Sequence, residues 1–268
     1  MELTKRYHLQ HIYKLHSLAG GKLKDKSLLE IGCGKGDMLK LIAEHYHPSM
    51  IIGTDLYLKS WWDIHENQEG ENWKILEGDA ESLSFDDNSF DYIYSISTFE
   101  HINNVQKALS EIKRVLKSYG IFYTNFAPIW TSVIGHHCKH WYQSEYLNII
   151  PPWGHLYMDE NEMAEHFQSC GKDEPEAKKF AGDIYANRKL INHYTRSELL
   201  SCVIKSGMYI KNIAETVAFS RDVYSGKKGP FPSELTEDIK KKISKTKYRD
   251  ENIGVIGMTF ILEKYRDL

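Results

Sequence analysis

The chain has 268 residues, 41% hydrophobic and 26% charged, with a formal net charge of -3 and only four cysteines, none in a C-x-x-C pair. That balance is that of an ordinary globular protein and disfavours disorder and nucleic-acid coating, while the scattered Cys33, Cys138, Cys170 and Cys202 argue against a disulfide framework or a compact zinc knuckle. No stretch of about eighteen apolar residues occurs and the opening MELTKRYHLQHIYKLHSL is too polar for a secretory signal, so a cytoplasmic protein without a membrane span is expected.

Apolar periodicity predicts an initial helix over about residues 3–17. SLLEIGC then reads as a short buried strand, followed by a helix carrying Met38, Leu39, Ile42 and Ala43. SMIIGTDL, WKILEGDA and FDYIYSIS continue as strands with helical segments expected between them, the pattern of a parallel sheet in an α/β fold. Val105, Ala108, Leu109, Ile112, Val115 and Leu116 share one helical face, with Asn103 or Asn104 as the cap and Gly120 as the stop, before IFYTNF returns as a strand. From residue 127 the rhythm breaks into a stretch full of aromatic rings, histidines and prolines, read as an inserted cap over 127–194. TRSELLSCVIKSGMYIKNIAETVAF and GVIGMTFILEKY restore helix and strand and complete a core begun over 1–126. Between them, at about 220–250, a further insertion shows a helix with Leu235, Ile239 and Ile243 on one face.

The glycine turn after the first strand carries the chemistry. A dinucleotide site wants G-x-G-x-x-G, with the third glycine beside a pyrophosphate at a helix N-terminus. Here the order is Gly32, Gly34, Gly36, and Asp37 stands where that motif would place glycine. An acid there repels a pyrophosphate, whereas a ligand with a ribose and an amino acid but no phosphate is not penalised. With Glu30 leading it, this turn resembles motif I of the class I S-adenosylmethionine-dependent methyltransferases. The resemblance spans about residues 27–126 and resumes at 195–219. It implies a Rossmann-like, seven-stranded, mostly parallel sheet with helices on both faces, an inserted substrate cap, and S-adenosyl-L-methionine as cofactor with S-adenosyl-L-homocysteine as product. Carried onto this chain, it puts the cofactor at Glu30, Gly32, Cys33, Gly34 and Gly36, at Asp55 and Leu56 for the ribose, at Asp79 and Ala80 for the adenine, and at Ser95 for the methionine amino group.

A methyl on a sulfonium is already activated, so the protein must chiefly hold a nucleophile in line behind it and, for a hydroxyl, take its proton. Imidazole suits that task. His136 and His137 follow the fifth strand and are the leading base candidates, with His101 in STFEHI as a third. Trp130, His140, Trp153 and His155 are the expected substrate contacts, because aromatic faces stack on a pyranose and polar tips fix its hydroxyls. The segments P-x-W, GHH and PPWGHL also look similar to methyltransferases of bacterial surface polysaccharides, which implies a sugar or nucleotide-sugar acceptor and O-methylation. A divalent ion at His136 and His140 with Asp159 or Glu162 is a weaker reading, and no metal is expected. The alternatives are an N-methyltransferase acting on a small amine and a non-catalytic cofactor-binding protein.

Overall fold

The computed structural model describes residues 2–64, 67–138, 149–186, 191–217 and 235–266. Its described elements run α1 (Glu2–Leu18), β1 (Ser27–Ile31), α2 (Asp37–Tyr46), β2 (Met50–Asp55), α3 (Leu58–Trp62), β3 (Gln68–Glu69), β4 (Trp73–Glu77), β5 (Phe90–Ile96), a 3-10 turn at Phe99–His101, α4 (Val105–Val115) and β6 (Leu116–Phe126). They continue with α5 (Gly154–Tyr157), α6 (Glu160–Ser169), α7 (Glu174–Ala186), α8 (Arg196–Lys205), β7 (Tyr209–Val217), α9 (Glu237–Ile243) and β8 (Val255–Glu263).

The strands form one eight-stranded sheet in the order β3-β4-β2-β1-β5-β6-β8-β7. The pairs β1–β2, β1–β5, β2–β4 and β5–β6 are parallel, as continuous apolar runs predict. The strand beyond the expected seven is β3, whose two residues pair antiparallel with β4 at the sheet edge. One expected helix is missing. Between β4 and β5 the chain makes a turn in which Asp79 bridges to Ser82, and Asp79 Oδ1 accepts from the Glu81 amide at 2.8 Å.

The chain divides into two compact units. The first holds the residues up to Phe126 together with Ser201–Ala214 and Thr259 onwards; the second holds Ala127–Leu200 and Glu215–Met258.

In the first unit, neighbouring residues on a strand face opposite sides of the sheet. Leu28 packs with Ile12 and Leu15 of α1 and with Leu39 and Ile42 of α2, while its buried neighbour Leu29 lies outside that cluster. Ile121 and Tyr123 join the same cluster, and Phe122 between them faces the other way, where its ring meets Phe99 at 5.4 Å. Asp91 stitches β1 to β5 by accepting from the Ser27 amide and hydroxyl and from Lys117. Its burial opposes ionisation, but those donors outweigh it and hold the carboxyl well below its usual range.

The α4 stripe is as periodicity predicts, and Asn104 caps it by accepting from the Lys107 amide at 3.0 Å. Its end differs from expectation. The helix stops at Val115, Leu116 is already extended, and Tyr119 rather than Gly120 takes positive φ. Gly120 is needed for space, because a Cβ there would stand 2.8 Å from the Lys117 carbonyl.

The second unit has its own apolar core, built from Met163, Phe167, Phe180, Ile184, Trp130 and Ile239 among others. Helices α6 and α7, absent from the irregular reading of this stretch, supply much of it. Asp159 and Glu162 open α6 with a reciprocal capping box, which occupies the two acids considered as metal ligands. No helix among the described residues is long and apolar enough to cross a membrane.

Candidate cofactor-binding site

The site grows from the turn that joins β1 to α2. Gly32, Gly34 and Gly36 all have left-handed backbone, with φ of 74°, 53° and 77°, which glycine adopts without the Cβ penalty. Two of them are also fixed by space. A Cβ on Gly32 would run into Thr98, and one on Gly36 would run into Ile75 and Leu39. The amides of Gly32 and Cys33 both donate to the Thr54 carbonyl, at 2.7 and 3.1 Å, so the turn is tied to the end of β2. Gly36 caps α2 without a side-chain bond, which leaves the first turn of that helix open toward its N-terminal side.

Asp55 ends β2 and turns back on the glycines. Its Oδ2 accepts from the Gly34 amide at 3.0 Å, and its Oδ1 accepts from the Tyr57 amide at 2.8 Å. Each oxygen keeps a lone pair for a further donor. Leu56 beside it is 46% exposed, an apolar surface at the mouth of the site. The Gly78 amide donates to the Asp55 carbonyl at 3.2 Å, placing the start of the Asp79 turn next to it. Ala80 in that turn is buried. The Tyr57 phenol is pushed up by burial and then by the charges of Asp79 and Asp55, so it stands within electrostatic reach of both acids.

Beyond β5 the chain folds across the turn. Ser95 is fully buried and donates its hydroxyl to the Ile31 carbonyl at 3.0 Å, so its side chain holds β5 to β1. Ser97 has positive φ and its hydroxyl lies 3.0 Å from the Tyr7 hydroxyl of α1. Thr98 packs on Gly32, and the His101 amide donates to the Thr98 carbonyl at 2.8 Å, so His101 sits one 3-10 turn from the glycine loop. On α1, His11 Nδ1 lies 2.6 Å from the Tyr123 hydroxyl, and His8 feels the charge of Asp37. Burial lowers the His11 pKa to about 4, with nearby His8 adding to the effect.

Two of the expected contacts are interior. Glu30 is 5% exposed, accepts from the Tyr94 hydroxyl at 3.0 Å and from the Leu39 amide, and is raised to about 8, chiefly by burial. Cys33 packs its side chain on Gly53, where a Cβ would stand 2.7 Å from its sulfur, and burial pushes its thiol far up, so it is a space-filling thiol and no nucleophile. Tyr57 and Thr98 join the arrangement although the sequence did not single them out as cofactor contacts.

The remaining expected residues belong to the second unit. His136, His137, Trp130, Trp153 and His155 are all buried there, and His140 lies outside the described residues. His136 Nδ1 accepts from the Cys138 amide at 3.2 Å, and its pKa is held well below 6.5 by burial and then by His155 and His137. The neutral ring therefore carries its proton on Nε2, which makes it a donor; the lone pair that a base would use is already engaged. His155 Nε2 lies 2.7 Å from the Trp130 carbonyl and must donate to it, leaving Nδ1 with a free lone pair. Burial takes His155 to about 4 against the opposing effect of that bond. The Trp130 indole donates to the Tyr248 hydroxyl at 2.8 Å, and the Trp153 indole to the Ile253 carbonyl at 3.0 Å. Beside them the hydroxyls of Thr131 and Ser132, like His155 Nδ1, are buried without a partner among the described residues.

Residues 29–124 match the family described as a methyltransferase domain. The chain is 28% identical over 130 residues to the phthiotriol/phenolphthiotriol dimycocerosates methyltransferase 1 of Mycobacterium ulcerans (strain Agy99), covering 48% of each. It is 30% identical over 125 residues to the fatty-acid O-methyltransferase of Mycolicibacterium smegmatis, covering 46% of this chain and 44% of that protein. It thus spans about half the length of the curated relatives it matches. A solved structure of a proposed S-adenosylmethionine dependent methyltransferase from Listeria monocytogenes superposes with a TM-score of 0.50 at 15% identity, over 94% of this chain and 97% of that one, and the likeness speaks for the fold alone. The methyltransferase-domain match at 29–124 thus falls on the parallel sheet whose glycine turn is clasped by the acid of the next strand.

Proposed function

We propose that the chain transfers a methyl group from S-adenosylmethionine to a hydroxyl of a small molecule, and that the acceptor is a sugar or nucleotide sugar. The observation that carries the donor half is the Asp55 carboxylate seated on the Gly34 amide. The residues fit such a ligand. Added Cβ atoms would crowd the turn at Gly32 and Gly36, Asp55 has lone pairs to take ribose hydroxyls, and Asp37 at the start of α2 disfavours a pyrophosphate. Asp79 and Ala80 would meet the adenine, Leu56 the nucleoside face, and the backbone at Ser95 the methionine amino group. When bound, the cofactor supplies a methyl on a sulfonium, activated for in-line displacement. His101 takes the acceptor proton in this reading, because it stands one short turn from the glycine loop while the lone pair of His136 is spent.

The sugar reading draws support from the chemistry of the second unit taken by itself. Buried polar atoms are costly unless paired, so Thr131 Oγ1, Ser132 Oγ and His155 Nδ1 favour a ligand that brings hydroxyl groups over a bare hydrocarbon. Trp130 lies beside them, its ring 4.7 Å from that of His155 and stacked on that of His193 at 3.8 Å. A second reading, a lipid hydroxyl or carboxyl as acceptor, is favoured by the names of the mycobacterial relatives. Calorimetric titration with S-adenosylmethionine, followed by homocysteine-release assays on nucleotide sugars, fatty acids and lipid diols, tests both halves. Turnover confined to fatty acids or lipid diols would replace the sugar reading, and absence of cofactor binding would remove both.

A further inference from the structure

Among the described strands, β7 is the edge at one end of the sheet. Seven of its nine residues are exposed, on both faces, and only Ile213 and Thr216 are half-buried. An edge of this kind offers a row of backbone donors and acceptors to another strand, and proteins blunt it with short length, proline or charge. The segment YIKNIAETV is long, carries no proline, and leaves Tyr209, Ile210 and Val217 open at 51%, 37% and 52%. Tyr265 extends that surface, its ring 5.2 Å from that of Tyr209, and Tyr119 follows at 6.2 Å from Tyr265. The two charges on the strand are matched within the chain, Lys211 by Glu263 at 2.7 Å and Glu215 by Arg196, so neither presents a bare charge to an incoming strand.

We infer that β7 pairs antiparallel with β7 of a second copy of this chain, about a twofold axis through Ile213, so that two sheets join edge to edge. The order of residues along the strand selects both the partner and the register. Positions equally far from Ile213 face each other under that symmetry. Lys211 then meets Glu215 of the second copy, at two symmetry-related places, and Tyr209 meets Val217, two side chains that are each about half exposed in the single chain. Ile213 meets itself. On the opposite face Ile210 meets Thr216 and Asn212 meets Ala214. Opposite charges and aromatic with β-branched side chains are the cross-strand pairs that stabilise an antiparallel ladder. Sliding the pair by two residues either way sets Lys211 against Ile213 or Val217 and Glu215 against Tyr209 or Ile213, so the charge match is lost. An unlike strand would draw nothing from this mirror order, which is why a second copy is the occupant. The pairing involves neither the glycine turn nor the acceptor and stands or falls apart from the methyl-donor reading.

Light scattering on the full chain, between about 1 and 100 µM, is expected to show twice the chain mass, and a single chain mass at the upper concentration overturns the proposal. Lys211→Glu, and separately Glu215→Lys, sets like charges at both contacts and should raise the dimer dissociation constant about tenfold or more. An equimolar mixture of the two variants should recover the dimer, because the mixed pair again sets opposite charges at both contacts. Variants that stay dimeric alone, or a mixture that stays monomeric, contradict the register. Should either variant fail to fold, cross-linking carries the test, in a Cys170→Ser background that removes the exposed native thiol. Diamide should join Ile213→Cys chains through the axis, where facing Cα atoms stand about 4.5–5.5 Å apart, but not Tyr209→Cys chains, whose symmetry mates lie roughly 27 Å along the strand. No cross-link in Ile213→Cys, or equal cross-linking of both, overturns the assignment.

Discussion

The Asp55 carboxylate accepts from the Gly34 amide at 3.0 Å, so the acid that ends the second strand and the glycine turn that follows the first are one structure. Asp55→Ala removes both that bond and the proposed ribose acceptor. Hydrogen bonds to charged groups contribute about 1.5–3 kcal/mol, which predicts a loss of S-adenosylmethionine affinity of roughly ten- to a hundredfold in calorimetry. Asp55→Asn keeps an acceptor for Gly34 and should fall between the two.

Gly36 and Gly20 both have positive φ, yet only Gly36 is crowded. Gly20→Ala meets nothing within 4 Å and should cost about 1 kcal/mol, the backbone term alone. Gly36→Ala adds a collision with Ile75 and Leu39 and should cost at least about 2 kcal/mol more in urea unfolding.

Glu30 also writes itself into stability. Its folded pKa of about 8 lies above the ordinary 4.5, so the native state holds a proton that the unfolded chain has lost, and stability declines as pH rises from about 4.5 to about 8. Glu30→Gln keeps an acceptor for Tyr94 and removes that penalty. The variant should be more stable than the parent at pH 8, by up to several kcal/mol, with little difference at pH 4.5.

The acid side is set by histidines. His11 and His155 fall to about 4 in the fold, so the unfolded chain gains protons first, and stability is lost as pH drops from 6.5 toward 4. His11→Phe should flatten part of that decline in thermal melts between pH 6.5 and 4.5. At pH 8 it should cost about 1 kcal/mol for the lost Tyr123 bond.

If His101 is the base, His101→Ala lowers kcat by about a hundredfold or more with S-adenosylmethionine affinity unchanged, and the acid limb of the kcat profile disappears. His136→Ala would instead reduce stability with the acid limb intact, because its lone pair serves the Cys138 amide.

Strands β1, β2, β4 and β5 were legible because buried parallel strands read as unbroken apolar runs, and α4 because its stripe and Asn104 agree. The end of α4 was misread because a glycine after a helix usually stops it, whereas Gly120 answers a packing demand from Lys117 and Leu116. Helix α6 had a signal, Asp159 with Glu162 three residues on, which the aromatic composition of the stretch obscured. The Gly32–Gly34–Gly36 turn and Asp55 were visible as a motif. That Glu30 would be buried against Tyr94, or that Thr98 would close over Gly32, depends on contacts between residues more than sixty positions apart, which local pattern does not carry.

The most direct measurement is a crystal structure with S-adenosylhomocysteine bound. We expect both ribose hydroxyls within hydrogen-bond distance of the Asp55 carboxylate and the nucleoside lying along the Gly32–Gly36 turn. A ligand seated elsewhere, with Asp55 still held only by Gly34 and Tyr57, would contradict the account.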